Sequence, residues 1–248
     1  VSQYRDRTLN LQYAHQDALD FADALKQKGG AFGSVHARTF TDAQVTRAAF
    51  DEAAKFLAKA GVHDTAVVLV AGHGLHDDDP LATYYYLSHE TDRRRLADTA
   101  VPFARIERLV GETQARRKLL LLDTCESGEL IDGADAPVPP QTRGLASRAA
   151  RGSKVATDID GPDEGSANGH ARARRWLADH DRFLYQDVSR RTGAVVFSSS
   201  RGGEFSYENV AYKNGAFTEA LLASLADREA DTDNDGWLSM DELRTRVT

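Results

Sequence analysis

The sequence predicts an α/β protein in which helices cover both faces of a mostly parallel sheet. Two runs of aliphatic residues, Thr65–Ala71 and Leu119–Leu122, have the uninterrupted hydrophobicity of strands buried on both faces. Segments with apolar residues at helical spacing separate the predicted strands. Each buried run is followed by a polar segment that contains glycine, as at the carboxyl edge of an open α/β sheet.

The first half of the chain supplies most of this alternation. Gly29 and Gly30 end the first predicted helix, and Asp42 is in position to cap the second. Pro102 is typical of the first turn of the third. In order, the predicted elements are a helix at Leu11–Leu25, a strand at Ser34–Phe40, a helix from Asp42 to Ala60, the strand Thr65–Ala71, a short strand at Tyr84–Leu87, a helix at Pro102–Val110 and the strand Leu119–Leu122.

The composition changes over residues 131–180, where Pro, Gly, Ala, Ser and charged residues replace the periodic apolar pattern. A long segment of this kind is expected to be a linker, which is either functional or simply a solvated surface loop. Regular elements return after it. They are a buried strand at Ala194–Phe197, a short strand within Glu204–Val210 and a helix at Phe217–Leu225.

Composition also limits the partners of the chain. The 248 residues have a formal net charge of −7, which disfavours a general nucleic-acid binder or a protein of anionic membranes. The single cysteine excludes an internal disulfide or a cysteine-rich zinc site, and it suits a reducing cytoplasm. No apolar run is long enough for a membrane span and no signal peptide opens the sequence. The first residue is Val1 rather than Met, which suggests a fragment.

Two residues with the chemistry of a cysteine hydrolase follow the two buried strands. His73 lies between Gly72 and Gly74, and Cys125 lies in the run Asp-Thr-Cys-Glu-Ser-Gly at 123–128. Such an enzyme needs a thiolate, a base within hydrogen-bond reach and N–H donors for the oxyanion. A lone cysteine is often just a small buried apolar residue, so its pairing with His73 is what makes the pattern specific.

These segments resemble the two catalytic blocks of the caspase and metacaspase superfamily, and most strongly those of the bacterial caspase-like proteases. The two blocks are Val68–Gly74 and Leu120–Gly128. The likeness extends to Tyr13–Ala18, which resembles the first-helix signature of the family, and to Gly215–Thr218. The first strand that the family places before Tyr4 is nearly absent, so the sequence leaves one position of the sheet open.

The resemblance implies a three-layer α/β/α caspase-like sandwich with a mostly parallel central sheet. Residues 1–248 would form one peptidase domain, with a large-subunit-like part at about 1–130, the linker at about 131–180 and a small-subunit-like part at about 181–248. Cys125 would attack the scissile carbonyl of a protein or peptide substrate, and His73 would transfer the proton to the leaving amine. The N–H groups of Gly74 and Cys125 would hold the oxyanion. No third catalytic residue is identifiable, and the family does not require one.

The position of Asp123 indicates the substrate residue after which the enzyme would cleave. A carboxylate two positions before a nucleophilic cysteine raises the thiol pKa, so Asp123 needs another role. Strand spacing directs Asp123 and Cys125 to the same side, where Asp123 suits the floor of a pocket for a cationic side chain. Metacaspases have an acidic residue here and another in the first-helix signature, which corresponds to Asp17. We therefore predict cleavage after Arg, with Lys second. The alternative for Asp17 is a carboxylate that reaches solvent or caps a neighbouring loop.

The linker is predicted to contain activation sites. Caspase-type proteases join their large and small subunits at this place. Cleavage there, by the chain itself or by an upstream protease, would activate a zymogen, and an uncut insertion is the alternative. The candidate cleavage sites are Arg143, Arg148, Arg151, Arg172, Arg174 and Arg175.

The segment 231–242 has the spacing of an EF-hand calcium loop. Oxygen ligands occupy loop positions 1, 3, 5, 7, 9 and 12, with Gly236 at position 6 for the turn. The pattern predicts Ca²⁺ binding, with a structural ion favoured over a regulatory one, and an Asp-rich turn without metal is the alternative. The candidate ligands are Asp231, Asp233, Asp235, Trp237 through its carbonyl, Ser239 and Glu242.

Two other functions stay open. One is a catalytically idle scaffold of the same fold that binds Ca²⁺ or serves in signalling, although retention of His73 and Cys125 argues against it. The other is a relative of separase, gingipain or legumain with a different specificity. The predicted hydrolysis itself needs no cofactor.

Overall fold

The computed structural model describes residues 1–28, 33–77, 83–125, 145–147, 182–199, 207–209 and 211–247. The strands within these ranges are β1 (Thr65–His76), β2 (Tyr84–Tyr86), β3 (Val101–Pro102), β4 (Arg117–Cys125), β5 (Leu145–Ser147), β6 (Val195–Ser198), β7 (Tyr207–Asn209) and β8 (Asn214–Gly215). The α-helices are α1 (Ala14–Gln27), α2 (Arg47–Leu57), α3 (Leu96–Thr99), α4 (Phe103–Gly111), α5 (182–192), α6 (Ala216–Ala226) and α7 (Met240–Val247). Short 3₁₀ turns lie at Arg7–Leu9, Asp42–Gln44, Arg93–Arg95 and Arg228–Ala230.

The central sheet has five strands in the order β3-β2-β1-β4-β6. β1, β4 and β6 are parallel, whereas β2 and β3 extend the sheet by antiparallel pairing at the carboxyl end of β1. The register of β1 and β4 begins at Thr65 and Arg117 and continues to His73 and Cys125. The predicted, mostly parallel sheet is therefore confirmed. A second, antiparallel sheet in the order β5-β7-β8 was not predicted.

Both faces of the central sheet are covered, because the leucines of β4 alternate between two apolar clusters. Leu120 and Leu122 belong to the cluster that includes side chains of α2, α4 and α5. Leu119 and Leu121 belong to the cluster that includes side chains of α1, α6 and α7. The most exposed of these four residues is 7% accessible, and each buried leucine contributes about 2 kcal/mol. The α/β/α sandwich is confirmed.

The predicted cap of the second helix is wrong. The hydroxyl of Thr46 accepts a hydrogen bond from the N–H of Ala49, and Thr46 is thus the cap of α2. Asp42 instead accepts hydrogen bonds from the N–H groups of Ser2 and Gln3, which fasten the first residues to the following turn. No helix in the described part of the chain is long and apolar enough to cross a membrane.

The strand predicted at 34–40 is wrong, because this segment has no regular secondary structure and joins neither sheet. Together with β1, α1 and α2 it lines a cavity of about 1280 Å³. Over Thr65–Ala71 the ladders between described strands connect β1 to β4 alone, so the other edge of this stretch faces the cavity. Val67 and Leu69 are only partly buried, although β1 is a central strand.

Candidate functional site

β1 and β4 place the two predicted catalytic residues side by side. Their parallel register pairs His73 with Cys125, the last residue of β4. Adjacent strands lie about 4.8 Å apart, so side chains from paired positions begin close to each other. The side chain of Cys125 lies outside the described part of the structure.

His73 is oriented by residues from the start of the chain. It is 3% exposed, and its Nε2 lies 2.9 Å from the carbonyl oxygen of Leu9. Because a carbonyl only accepts, Nε2 is protonated in this contact, and Nδ1 is the nitrogen able to receive a proton. The N–H of His73 donates to the Tyr4 hydroxyl at 3.0 Å, and the two rings are in contact. Sequence reasoning missed Leu9, because a main-chain carbonyl has no sequence signature.

Gly72 allows the backbone of β1 to lie close to two tyrosine hydroxyls just before His73. Its φ is +147°, a backbone conformation that side chains disfavour. A Cβ at this position would lie 3.0 Å from the hydroxyl oxygen of Tyr4 and 3.1 Å from that of Tyr86. Glycine is therefore required here by both the dihedral angle and the space.

Gly74, the predicted oxyanion donor, is paired with Tyr86 of β2. The adjoining hydrogen bond from the Leu87 N–H to the His73 carbonyl makes Gly74 and Tyr86 a non-hydrogen-bonded pair. In such a pair the N–H groups point away from the partner strand. The Gly74 N–H is thus directed toward the side of β1 on which β4 ends, a direction that suits an oxyanion donor.

Each of the two predicted pocket acids contacts the start of α6. Asp17 and Asp123 are both 0% exposed. Oδ1 of Asp17 accepts from the N–H of Gly215 at 2.7 Å, and Oδ2 of Asp123 accepts from the Thr218 hydroxyl at 2.9 Å. Gly215 is the N-cap of α6, where the helix dipole stabilises anions. The contact of Asp17 is also the loop-capping contact expected from the alternative interpretation.

Several polar residues around this site were not predicted. The sequence marked Thr218 only as part of a family-like segment, with no role. Glu208 is 2% exposed and contacts the chain just before α1; an acidic residue inside a predicted strand was the one available signal. The Tyr84 hydroxyl donates to the Thr124 hydroxyl oxygen at 2.8 Å and links β2 to the end of β4.

Over residues 1–248 the sequence matches the family described as "Caspase domain". The chain belongs to this family. It is therefore a cysteine peptidase, and its substrates are proteins or peptides. Among curated proteins no match is found. Among solved structures the caspase domain is similar to protein GSU0716 from Geobacter sulfurreducens, with a TM-score of 0.54 and 18% identity over 91% of this chain and 78% of that chain. This likeness supports the fold alone.

The acidic loop of the caspase domain connects α6 to α7. Carboxylate oxygens of Asp231, Asp233 and Asp235 all lie within 4.8 Å of one another. The carboxylate of Asp231 accepts from the N–H groups of Asp235 and Gly236, and Gly236 has a φ of +87°. The tight turn predicted at loop position 6 is therefore present, and three of the candidate ligands are gathered together.

Electrostatics within this loop favour a cation. Hydrogen bonds from the N–H and hydroxyl groups of Ser239 and Thr232 lower the pKa of Glu242 to about 2. The N–H of Asp235 lowers the pKa of Asp233, but desolvation and the charges of Asp235 and Glu242 outweigh it and raise that pKa. A bound cation would relieve this repulsion, and an all-oxygen donor set fits Ca²⁺. Trp237 and Ser239 lie in the same loop, where the Ser239 N–H donates to Glu242.

The candidate cleavage sites of the linker lie outside the described residues. They are Arg143, Arg148, Arg151, Arg172, Arg174 and Arg175.

Proposed function

We propose that this caspase domain is an endopeptidase that cleaves after arginine, and secondly after lysine. The observation that carries the proposal is the pair of fully buried carboxylates, Asp17 and Asp123, which contact the same end of α6. Asp123 is two residues before Cys125, so a side chain that reaches these acids belongs to the residue beside the scissile bond.

The proposed chemistry uses Cys125 and His73. Nδ1 of His73 takes the thiol proton, and the thiolate attacks the scissile carbonyl carbon. The N–H groups of Gly74 and Cys125 stabilise the oxyanion. His73 then protonates the leaving amine as the C–N bond breaks, and water hydrolyses the acyl-enzyme, which restores the thiol. The Leu9 carbonyl keeps the imidazole in the tautomer that this sequence of proton transfers requires.

The preference for arginine follows from charge and shape. Two carboxylates inside a protein are costly unless hydrogen bonds or a cation compensate them. A guanidinium offers a planar set of N–H donors that can reach both acids, whereas an ammonium is a compact charge with fewer donors. A substrate aspartate would instead add a third negative charge and be repelled.

A panel of peptides that differ only in the residue before the scissile bond tests this specificity. We expect kcat/KM to fall in the order Arg, Lys, citrulline, Asp. Asp17→Asn retains an oxygen that accepts from Gly215 but loses the charge, and we expect kcat/KM for the Arg peptide to fall about 10- to 100-fold. Asp23→Asn is the matched control, because Asp23 lies on the same helix with its side chain 64% exposed. Faster cleavage after Asp than after Arg would refute the proposal.

We propose that cleavage after arginine within residues 131–180 activates the chain. Two groups of arginines in this segment, one within 143–151 and one within 172–175, support the idea, because they lie between the part with His73 and Cys125 and the part with α6. Mass spectrometry of the wild type beside Cys125→Ala separates the two sources of cleavage. Self-cleavage predicts linker fragments from the wild type alone. Identical fragments from both would assign the cut to another protease, and an uncut, active wild type would refute activation by cleavage.

We also propose that the 231–242 loop binds a structural Ca²⁺. The gathered carboxylates of Asp231, Asp233 and Asp235 and the raised pKa of Asp233 support a cation site. The loop follows the carboxyl end of α6, whereas the acid pair contacts its amino end. A helix of 11 residues is about 16 Å long, so the ion would act on the stability of α6 and α7 and not directly on the pocket.

A further inference from the structure

Glu208 is a buried carboxylate that the proposed chemistry does not use. It lies on β7 and is 2% exposed. Its Oε2 accepts from the N–H of Gln12 and its Oε1 from the N–H of Tyr13, each at 2.9 Å. A buried carboxylate is retained at a cost unless its hydrogen bonds compensate, so this two-pronged contact needs an explanation.

The two N–H groups belong to the start of α1. Tyr13 is the N-cap residue of α1, and its own side chain makes no capping hydrogen bond. Glu208 supplies acceptors at this point from about two hundred residues further along the chain. A negative charge at the amino end of a helix is also stabilised by the helix dipole. Glu208 therefore fixes where α1 begins and in which direction it leaves.

The same helix contacts the small sheet a second time through Asp17. Glu208 and Gly215 are paired across β7 and β8, and the Gly215 N–H donates to Asp17, one turn into α1. Two carboxylates thus join α1 and the small sheet in opposite directions. One comes from β7 to the helix, and the other comes from the helix to β8. Loss of the first contact would leave Asp17 on a helix whose start has lost two hydrogen bonds and keeps the one from the His15 N–H to the Ser2 hydroxyl oxygen.

We propose that Glu208 is a positioning residue for arginine recognition, which acts by holding Asp17 in place through α1. This inference rests on the proposed specificity for arginine. Recognition of a planar guanidinium by two acids depends on their relative placement, whereas an ammonium tolerates displacement better. Glu208 therefore sets the ratio of arginine to lysine cleavage, and it leaves the reactivity of Cys125 unchanged.

The experiment compares Glu208→Gln and Glu208→Ala with Glu229→Gln, an exposed control in the turn after α6. Glu208→Gln keeps one acceptor oxygen but places an amide N–H₂ against a main-chain N–H. We expect KM for the Arg peptide to rise about three- to tenfold and the Arg-to-Lys ratio of kcat/KM to fall by a similar factor. The rate of Cys125 alkylation by iodoacetamide should stay within twofold of the wild type, as should all parameters of the control.

A general loss of structure would lower both substrates equally, so the Arg-to-Lys ratio separates positioning from stability. If Glu208→Ala does not fold, Glu208→Gln and the double variant Asp17→Asn/Glu208→Gln decide. Because Glu208 acts through Asp17, the second substitution should not change the ratio further once Asp17 is neutral. An unchanged ratio in folded Glu208 variants overturns this inference alone. A wild type without any preference for Arg overturns the proposed function as well.

Discussion

Gly72, just before His73, occupies a backbone position that only glycine fits without strain. We expect Gly72→Ala to destabilise the fold by about 3 kcal/mol, because the new Cβ meets the hydroxyls of Tyr4 and Tyr86 at a φ of +147°. Gly193→Ala is the control, since Gly193 also has a positive φ, +71°, but nothing lies within 4 Å of its Cβ position. It should cost about 1 kcal/mol. Urea denaturation measures both, and equal losses would contradict the steric argument.

Asp123 should oppose the reactivity of Cys125 while it serves specificity. Removal of its negative charge by Asp123→Asn makes the thiolate easier to form. We therefore expect the midpoint of the pH dependence of Cys125 alkylation to move down by about one pH unit. At the same time kcat/KM for Arg peptides should fall. An upward shift of the alkylation midpoint would show that Asp123 assists the thiolate.

Side-chain chemistry decides which residues of the site were predictable. His73 and Cys125 follow from residue type and position, whereas the shared pocket role of Asp17 and Asp123 was inferred with the resemblance to metacaspases. The Leu9 carbonyl and the N–H of Gly215 belong to the main chain, which every residue shares, so their roles became visible only in the folded arrangement. The role of Glu208 was not predictable for a further reason: its partners, Gln12 and Tyr13, lie at the far end of the sequence.

The helix α6 has a group of acidic residues near each of its ends, and the helix dipole affects the two groups in opposite ways. Its amino end contacts the buried acid pair, and its carboxyl end leads into the acidic loop. Both ends of α6 are therefore near negative charge, but the helix dipole stabilises negative charge only at the amino end. The acidic loop must obtain its compensation elsewhere. This is the physical reason to expect a cation in the loop.

Calcium should act on stability and leave catalysis unchanged. We expect saturating Ca²⁺ to raise the Tm by roughly 5 °C and Asp231→Asn to abolish this shift. Asp241→Asn is the matched control, because Asp241 occupies loop position 11, which supplies no ligand, and its side chain is 91% exposed. Differential scanning calorimetry and Arg-peptide assays, each with and without chelator, measure the two properties. A change in kcat/KM without a change in Tm would indicate a regulatory ion.

The helix α5 was not predicted because its apolar stripe is weak. In α5 the buried Val188 is supported by the partly buried Leu184 and Tyr185, whereas Phe183 is 69% exposed. An exposed aromatic residue such as Phe183 interrupts the helical spacing of apolar residues, so this helix was not predicted. Segment 34–40 shows the opposite case. Its strand-like composition was recognised, but whether an extended segment joins a sheet depends on a neighbour that its own residues do not specify.

At the scale of the whole molecule the fold class was predictable because many segments along the sequence indicate it independently. The leucines of β4 must be covered on both faces, and amphipathic segments on either side of them in the sequence provide that cover. The predicted layers are therefore insensitive to errors at single elements. The order of the strands and the small sheet β5-β7-β8 depend on long-range pairing, which local periodicity does not encode.

The cavity beside β1 has a consequence for amide hydrogen exchange. Residues Leu119–Leu122 of β4 are paired with β1 on one side and with β6 on the other, whereas Thr65–Ala71 face the cavity along one edge. Alternate amides of a strand point to opposite neighbours. We therefore expect every second amide of Thr65–Ala71 to exchange with deuterium faster than the amides of Leu119–Leu122, as measured by NMR. Uniform protection along Thr65–Ala71 would contradict an open edge. If the edge is open, a strand at the centre of the molecule shows the alternation of fast- and slow-exchanging amides that is otherwise typical of an edge strand.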